Sequence, residues 1–218
     1  MDLTLYSKMI GANNSNITQA YINDTILHVN DMFSSSPSFK VMDFDGVQTD
    51  AIISHKKSNV LDILLRPQSV LSKGIYASFE GDTYLITEFV KNEIYPKATV
   101  ELCNASIKWK HIDSVHEFKC IVKGNTYEKD DGNSFVTTSE GEISILVQYN
   151  ADTKTIKPNQ RFIFGSSAYE VVSIDEVTSI YNGKGVLKLG VKYTSATDTD
   201  DKTNQIADSS GNSGWSGW

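Results

Sequence analysis

Between residues 69 and 109 apolar and polar side chains alternate with a period of two, and part of the same plan returns later at a constant offset. Ile75, Ala77 and Phe79 share one parity against Tyr76, Ser78 and Glu80, the signature of a strand with one buried face. Glu80, Gly81 and Asp82 supply a turn, and residues 84–89 run back as the second arm of a hairpin. Beyond Asn92 and Pro96 a third strand begins, with Ala98, Val100 and Leu102 on one parity and Cys103, Ala105, Ile107 and Trp109 on the other. The switch near Cys103 and Asn104 predicts a bulge or bend, since only an extra residue swaps faces within a sheet. In the copy, Phe164, Tyr169, Val171 and Ile156 answer Phe79, Tyr84, Ile86 and Leu71, each 85 residues on, with Gly165, Ser166 and Ser167 at the turn. Leu187, Leu189, Val191 and Tyr193 repeat the closing strand. The fold class this predicts is mainly β: two small β-barrels or sandwiches in tandem, from duplication or from convergence on one plan.

A chain of 218 residues accommodates two such domains. Upstream, Ile22, Ile26, Val29 and Phe33 fall at steps of four, three and four, which marks an N-terminal amphipathic helix over residues 18–33. Its buried stripe suits packing on its own barrel or docking on a neighbouring subunit. Asp45-Gly46 lies between two strand-like runs as a tight-turn dipeptide; Asp43, Asp45 and Asp50 lack the remaining ligands of a calcium loop. The one evident joint is residues 110–114. The expected organisation is therefore residues 1–112 as helix plus first barrel, 113–194 as second barrel or sandwich, and 195–218 as an extended C-terminal arm. That arm is Ser-, Thr-, Asp-, Gly- and Asn-rich with little to bury, so its order depends on what it lies against. Trp215 and Trp218 are its candidate inter-subunit anchors, since Trp buries a large area with few rotors; the alternative is a tail held by its own domain.

Catalytic and metal motifs are missing from the sequence. The four histidines form no HExxH, Gly183-Lys184-Gly185 has neither the Ser/Thr nor the helix of a phosphate cradle, and no GxSxG or GxGxxG occurs. The expectation is a non-enzyme without cofactor or metal. Cys103 and Cys120 lack metal-ligand spacing and read as reduced core residues. No apolar run reaches the roughly 20 residues of a membrane span, and residues 1–10 do not read as a signal peptide, so the protein is expected to stay where it is made, with no membrane partner. A net charge of −7 argues against a surface that grips phosphate backbones, yet it suits one that nucleic acid must slide past.

The stretches DGVQTDAIIS, LRPQSVLSKGIYASFEGDTYLIT and NEIYPKATVELCNASIKW, and more loosely PNQRFIFGSSAYEVVSI, resemble proteins of the head and neck modules of tailed phages of Gram-positive bacteria. They are similar in kind to the head-closure, or stopper, proteins of siphophages. The resemblance implies a virion protein made in the host cytoplasm and assembling as a homo-oligomeric ring. It would sit between a portal or adaptor protein and a tail protein, close the channel after packaging, and meet DNA only by lining that channel. It also implies a loop reaching into the channel, for which Asp43, Asp45 and Gly46 in one hairpin, or Asp130 and Asp131 in the loop 128–134, are the candidates. The chain is about twice as long as single-barrel stoppers, which leaves adaptor and tail-completion roles open. Tail-tip receptor binding and single-strand nucleic-acid binding are the alternatives from other classes.

Overall fold

The structure is a computed structural model that describes residues 17–112, 114–124, 126–127, 136–137 and 141–208. Helix α1 (Ile17–Phe33) is followed by β1 (Phe39–Phe44), β2 (Val47–Lys57), β3 (Val60–Leu65), β4 (Tyr76–Phe79), β5 (Asp82–Val90) and β6 (Lys97–Leu102). Then come β7 (Ala105–His111), β8 (Ser114–Gly124), β9 (Thr126–Tyr127), β10 (Val136–Thr137), β11 (Glu142–Gln148) and a short 3-10 turn (Thr153–Thr155). The last strands are β12 (Arg161–Phe164), β13 (Ser167–Asp175), β14 (Ile180–Tyr181) and β15 (Lys184–Thr194). The protein is mainly β, with two barrel-like sheets in tandem and one helix near the N-terminus.

Alternation places one apolar set inside each sheet. Met42, Phe44, Ala51, Ile53, Leu61, Ile63, Leu65, Ala77, Ile86, Ala98 and Val100 make the core of the first. Ile107, Trp109, Cys120, Ile145, Val147, Phe162, Val171, Leu187, Leu189 and Val191 fill the second. The first sheet closes into a barrel in the order β1-β2-β3-β6-β5-β4. The second runs β7-β8-β11-β15-β13-β12, which is the same order for its six principal strands, with β14 added to β15.

The repeat extends to register. In the first hairpin Tyr76 pairs with Leu85 and Phe79 with Asp82; in the second Arg161 pairs with Glu170 and Phe164 with Ser167, each residue 85 positions on. Both long strands slip register at the matching point, between Ile86 and Glu88 and between Val171 and Ser173. A bulge bends and twists its strand, so the shared bulge curls both sheets alike. One difference separates them. β1 pairs with β4 through Asp43↔Ser78 and Phe44↔Ala77, whereas their counterparts β7 and β12 lie side by side with no ladder between them among the described residues.

Helix α1 packs on its own barrel. Ile26 and Phe33 are buried, Phe33 meets Phe39 edge-on at 6.2 Å, and the Arg66 guanidinium lies 4.8 Å over the Phe33 ring. Arg66 also donates to the helix-end carbonyl of Asn30 (3.0 Å), to Ser34 Oγ (2.9 Å) and to Asp50 Oδ2 (2.6 Å). One side chain thus caps the helix C-terminus and ties it to β2.

Two expectations about organisation need correction. β7 pairs along its length with β8, from Ala105↔Cys120 to His111↔Ser114, so residues 110–114 form a hairpin within the second sheet, and the chain passes between barrels at Cys103 and Asn104. The parity switch read at those residues marks a change of sheet, with one core on each side, instead of a bend in one strand. The arm expected from residue 195 also begins otherwise. Residues 195–208 fold against the second barrel, where Ala207 packs with Ile163, Ala168 and Ala196, and Asp201 bridges to Ile206. A single carboxylate organises this turn. Asp200, its side chain fully buried, accepts from Arg161 Nη2 (2.7 Å) and Nη1 (3.1 Å) and from the amides of Thr197 (2.7 Å) and Asp208 (2.9 Å).

Candidate functional site at the seam between the barrels

Several strands carry consecutive buried residues where simple alternation predicts one. Leu85 and Ile86 in β5, Cys120 and Ile121 in β8, and Val186 and Leu187 in β15 are all buried. Adjacent strand residues point to opposite faces. Ile86, Cys120 and Leu187 therefore enter their own cores, while Leu85, Ile121 and Val186 meet each other in a third cluster with Tyr76, Cys103 and Leu146. This cluster is the seam, built from both barrels. Full burial of such side chains contributes about 1.5–3 kcal/mol each.

Polar contacts lock the seam in register. The amide of Cys103 still donates to Thr83 O in the first barrel (2.9 Å). One residue on, Asn104 uses its side chain as a peptide mimic: Oδ1 accepts from Val122 N (2.7 Å) and Nδ2 donates to Val122 O (2.9 Å) in β8. Tyr76 OH donates to Lys119 O, and Lys123 Nζ lies 2.6 Å from Glu101 Oε2. Burial pushes the Tyr76 phenol well above its ordinary value and pushes the Cys103 and Cys120 thiols up to about 12. Both cysteines are free thiols.

The turn carrying Asp43, Asp45 and Gly46 belongs to this seam. Asp45 and Gly46 both have positive φ, 48° and 87°, the backbone of a tight hairpin turn. Asp43 Oδ1 accepts from Gly46 N (2.8 Å) and Oδ2 from Gln48 (3.2 Å). Asp45 Oδ1 accepts from Tyr76 N (3.2 Å), and Oδ2 accepts from Gln148 Nε2 of the second barrel (3.1 Å). The turn is two residues long and its outer carboxylate is engaged between the barrels, so it acts as a clamp. Asp130, Asp131, Trp215 and Trp218 lie outside the described residues.

Beside the clamp a groove of about 660 Å³ opens between the barrels. Phe44, Leu71, Ile75 and Tyr149 give it apolar walls, Val47 and Val70 stand at its edge 64% and 67% exposed, and Lys73 and Lys184 supply charge. Its backbone walls touch at Gly74 and Gly185. The groove thus presents an apolar strip with a charged rim. A second polar group was not visible in the sequence: His116 stacks on Trp109 at 5.2 Å and its Nδ1 lies 3.7 Å from Asp152, while Trp109 Nε1 donates to Thr155 Oγ1 (3.1 Å). Among the described residues no three His, Cys, Asp or Glu side chains converge as metal ligands.

Sequence reasoning placed Asp45 and Gly46 correctly in a turn, and missed Gln148, Asn104, Tyr76 and the Arg161–Asp200 pair. The one signal for Asn104 was its position at the parity switch.

Residues 105–192 match the family model of the YomX C-terminal domain, a phage-derived family. The matched stretch starts at the first residue of β7 and ends inside β15, so it coincides with the second barrel. The match points to a phage protein. No curated protein and no solved structure matches the chain.

Proposed function

We propose that the chain is a structural subunit of the phage neck, assembling as a homo-oligomeric ring between a portal or adaptor and the tail, and closing the DNA channel after packaging. The observation that carries this reading is the seam: two barrels of one plan joined through a buried cluster and cross-barrel hydrogen bonds, which is the construction of a building block. The phage-derived match over the second barrel supports the viral setting. The net charge of −7 suits a wall that DNA passes without adhering. The groove, with Val47 and Val70 exposed at its edge, serves in this reading as the docking surface for a neighbour.

The test is a phage carrying a disrupted copy of the gene. The expected result is DNA-filled or leaking heads lacking tails, together with a ring-sized mass for the purified protein. Complete, tailed particles that fail only to adsorb would replace this reading with a receptor-binding role at the tail tip.

A further inference from the structure

Between β13 and β14 the chain turns through Asp175, Glu176, Val177, Thr178 and Ser179. Asp175 Oδ1 accepts from the amides of Val177 (3.0 Å) and Thr178 (2.9 Å), and Oδ2 accepts from the Thr178 hydroxyl. One carboxylate thus fixes the turn, and Val177 is held 81% exposed with Glu176 exposed beside it. The Thr178 hydroxyl and the two amides keep the Asp175 carboxyl down at about 2, so it is ionised near neutrality. The result is a shaped tip: an aliphatic side chain flanked by two acids.

The groove between the barrels has the opposite make-up. Val47 and Val70 stand at its apolar edge, and Lys73 and Lys184 are exposed in its lining. No ion pair among the described residues includes Lys73, Lys184 or Glu176. Asp45, the acid in the lining, already accepts from Tyr76 N and Gln148 Nε2. The two lysines therefore face a shortage of negative charge that the tip would supply.

Position decides which tip meets which groove. Val186 N donates to Ser179 O (3.2 Å), Ile180 pairs with Gly185 and Tyr181 with Lys184, so the tip leads straight into the hairpin that forms one groove wall. Tip and groove lie side by side on one molecule. A copy that places its tip in a neighbour's groove thereby offers its own groove to that neighbour's tip, the self-complementary geometry of a two-fold contact.

We propose that two copies of the chain pair about a two-fold axis, each inserting Val177 between Val47 and Val70 of the other and setting Glu176 against the other's Lys73 and Lys184. The pairing rests on the groove being a docking surface, as in the reading above, and is independent of the place of the protein in a virion.

Sedimentation of the full-length protein with exchanged charges tests it. Lys73→Glu with Lys184→Glu makes a groove variant and Glu176→Lys a tip variant; all three residues are exposed, so folding is spared. Either variant alone should weaken pairing roughly tenfold or more and halve the mass of the dilute protein. An equal mixture of the two should regain the unaltered mass, since each altered surface then meets its opposite. Unaltered protein that stays single at every concentration overturns the proposal, as does a variant that keeps the unaltered mass or a mixture that stays apart. A fall from a larger ring straight to single copies overturns it too, by making the contact head-to-tail. Pairs that form while the disrupted phage still builds tailed particles would leave the pairing standing and remove only the neck reading.

Discussion

Gly74 and Gly185 meet backbone to backbone across the seam: a β-carbon on Gly74 would lie 1.7 Å from the Gly185 carbonyl oxygen. Gly74 also has φ +83° and donates its amide to Ile86 O (2.9 Å), while Gly185 O accepts from Tyr149 N (3.0 Å). Neither wall has room to retreat. Gly74→Ala is expected to destabilise the protein by about 3 kcal/mol or more, combining overpacking with a strained backbone. Urea unfolding with fluorescence from each barrel checks this, and a midpoint equal to that of the unaltered protein would refute it.

Acid should release the C-terminal turn before it unfolds the sheets. Burial on its own raises the Asp200 carboxyl, but the amides of Asp208 and Thr197 and the Arg161 guanidinium override it and hold the group below the usual 3.8. A carboxyl lowered on folding lends stability that is complete above the unfolded value and disappears as pH falls through the folded one. Residues 195–208 should therefore stay protected above about pH 4 and become protected less and less below it. Hydrogen exchange across that range reads the effect, and Asp200→Asn should abolish the pH dependence while leaving the segment looser at every pH.

The seam thiols should be inert. With Cys103 and Cys120 raised to about 12 by burial, neither forms appreciable thiolate near neutrality. Native protein at pH 8 is expected to resist iodoacetamide, and protein in urea to react at both positions. The sign for stability follows. The thiols of the unfolded chain ionise near 9 and those of the folded chain do not, so stability falls as pH climbs from about 9 toward 12. Replacing both by alanine should flatten that decline.

Ile112 carries strain at the tip of the β7–β8 hairpin. It has φ +55°, where a β-branched residue is out of place, and its side chain is 81% exposed. Ile112→Asn is expected to stabilise the isolated protein by about 1 kcal/mol, since Asn tolerates this backbone. A shift of the urea midpoint upward confirms it; a shift downward shows that the isoleucine makes contacts worth more than the strain.

Local pattern made the repeat legible. Strand bounds in the two hairpins agree at the 85-residue offset because Phe79 and Tyr84, and Phe164 and Tyr169, sit on either side of short turns whose chemistry is decided within a few residues. The helix was legible for the same reason, with Ile26 and Phe33 buried and Ile22 and Val29 half-buried. Features set by distant partners were not. Leu85, Ile121 and Val186 look like breaks in alternation until the opposite barrel is present to bury them. Asp200 reads as one more acid in a polar tail, and only Arg161, 39 residues earlier, makes it an anchor. The joint was misplaced because residues 110–114 and Asn104 both interrupt a strand, and the pairing of β7 with β8 decides between them.

Strands β5, β8 and β15 are party walls, each giving one face to its own interior and one to the dwelling next door. A twist applied to either half is passed to the other through these shared walls. Whatever machine such a piece serves would have to move it whole, and any change of shape in that machine would fall at the contacts between pieces.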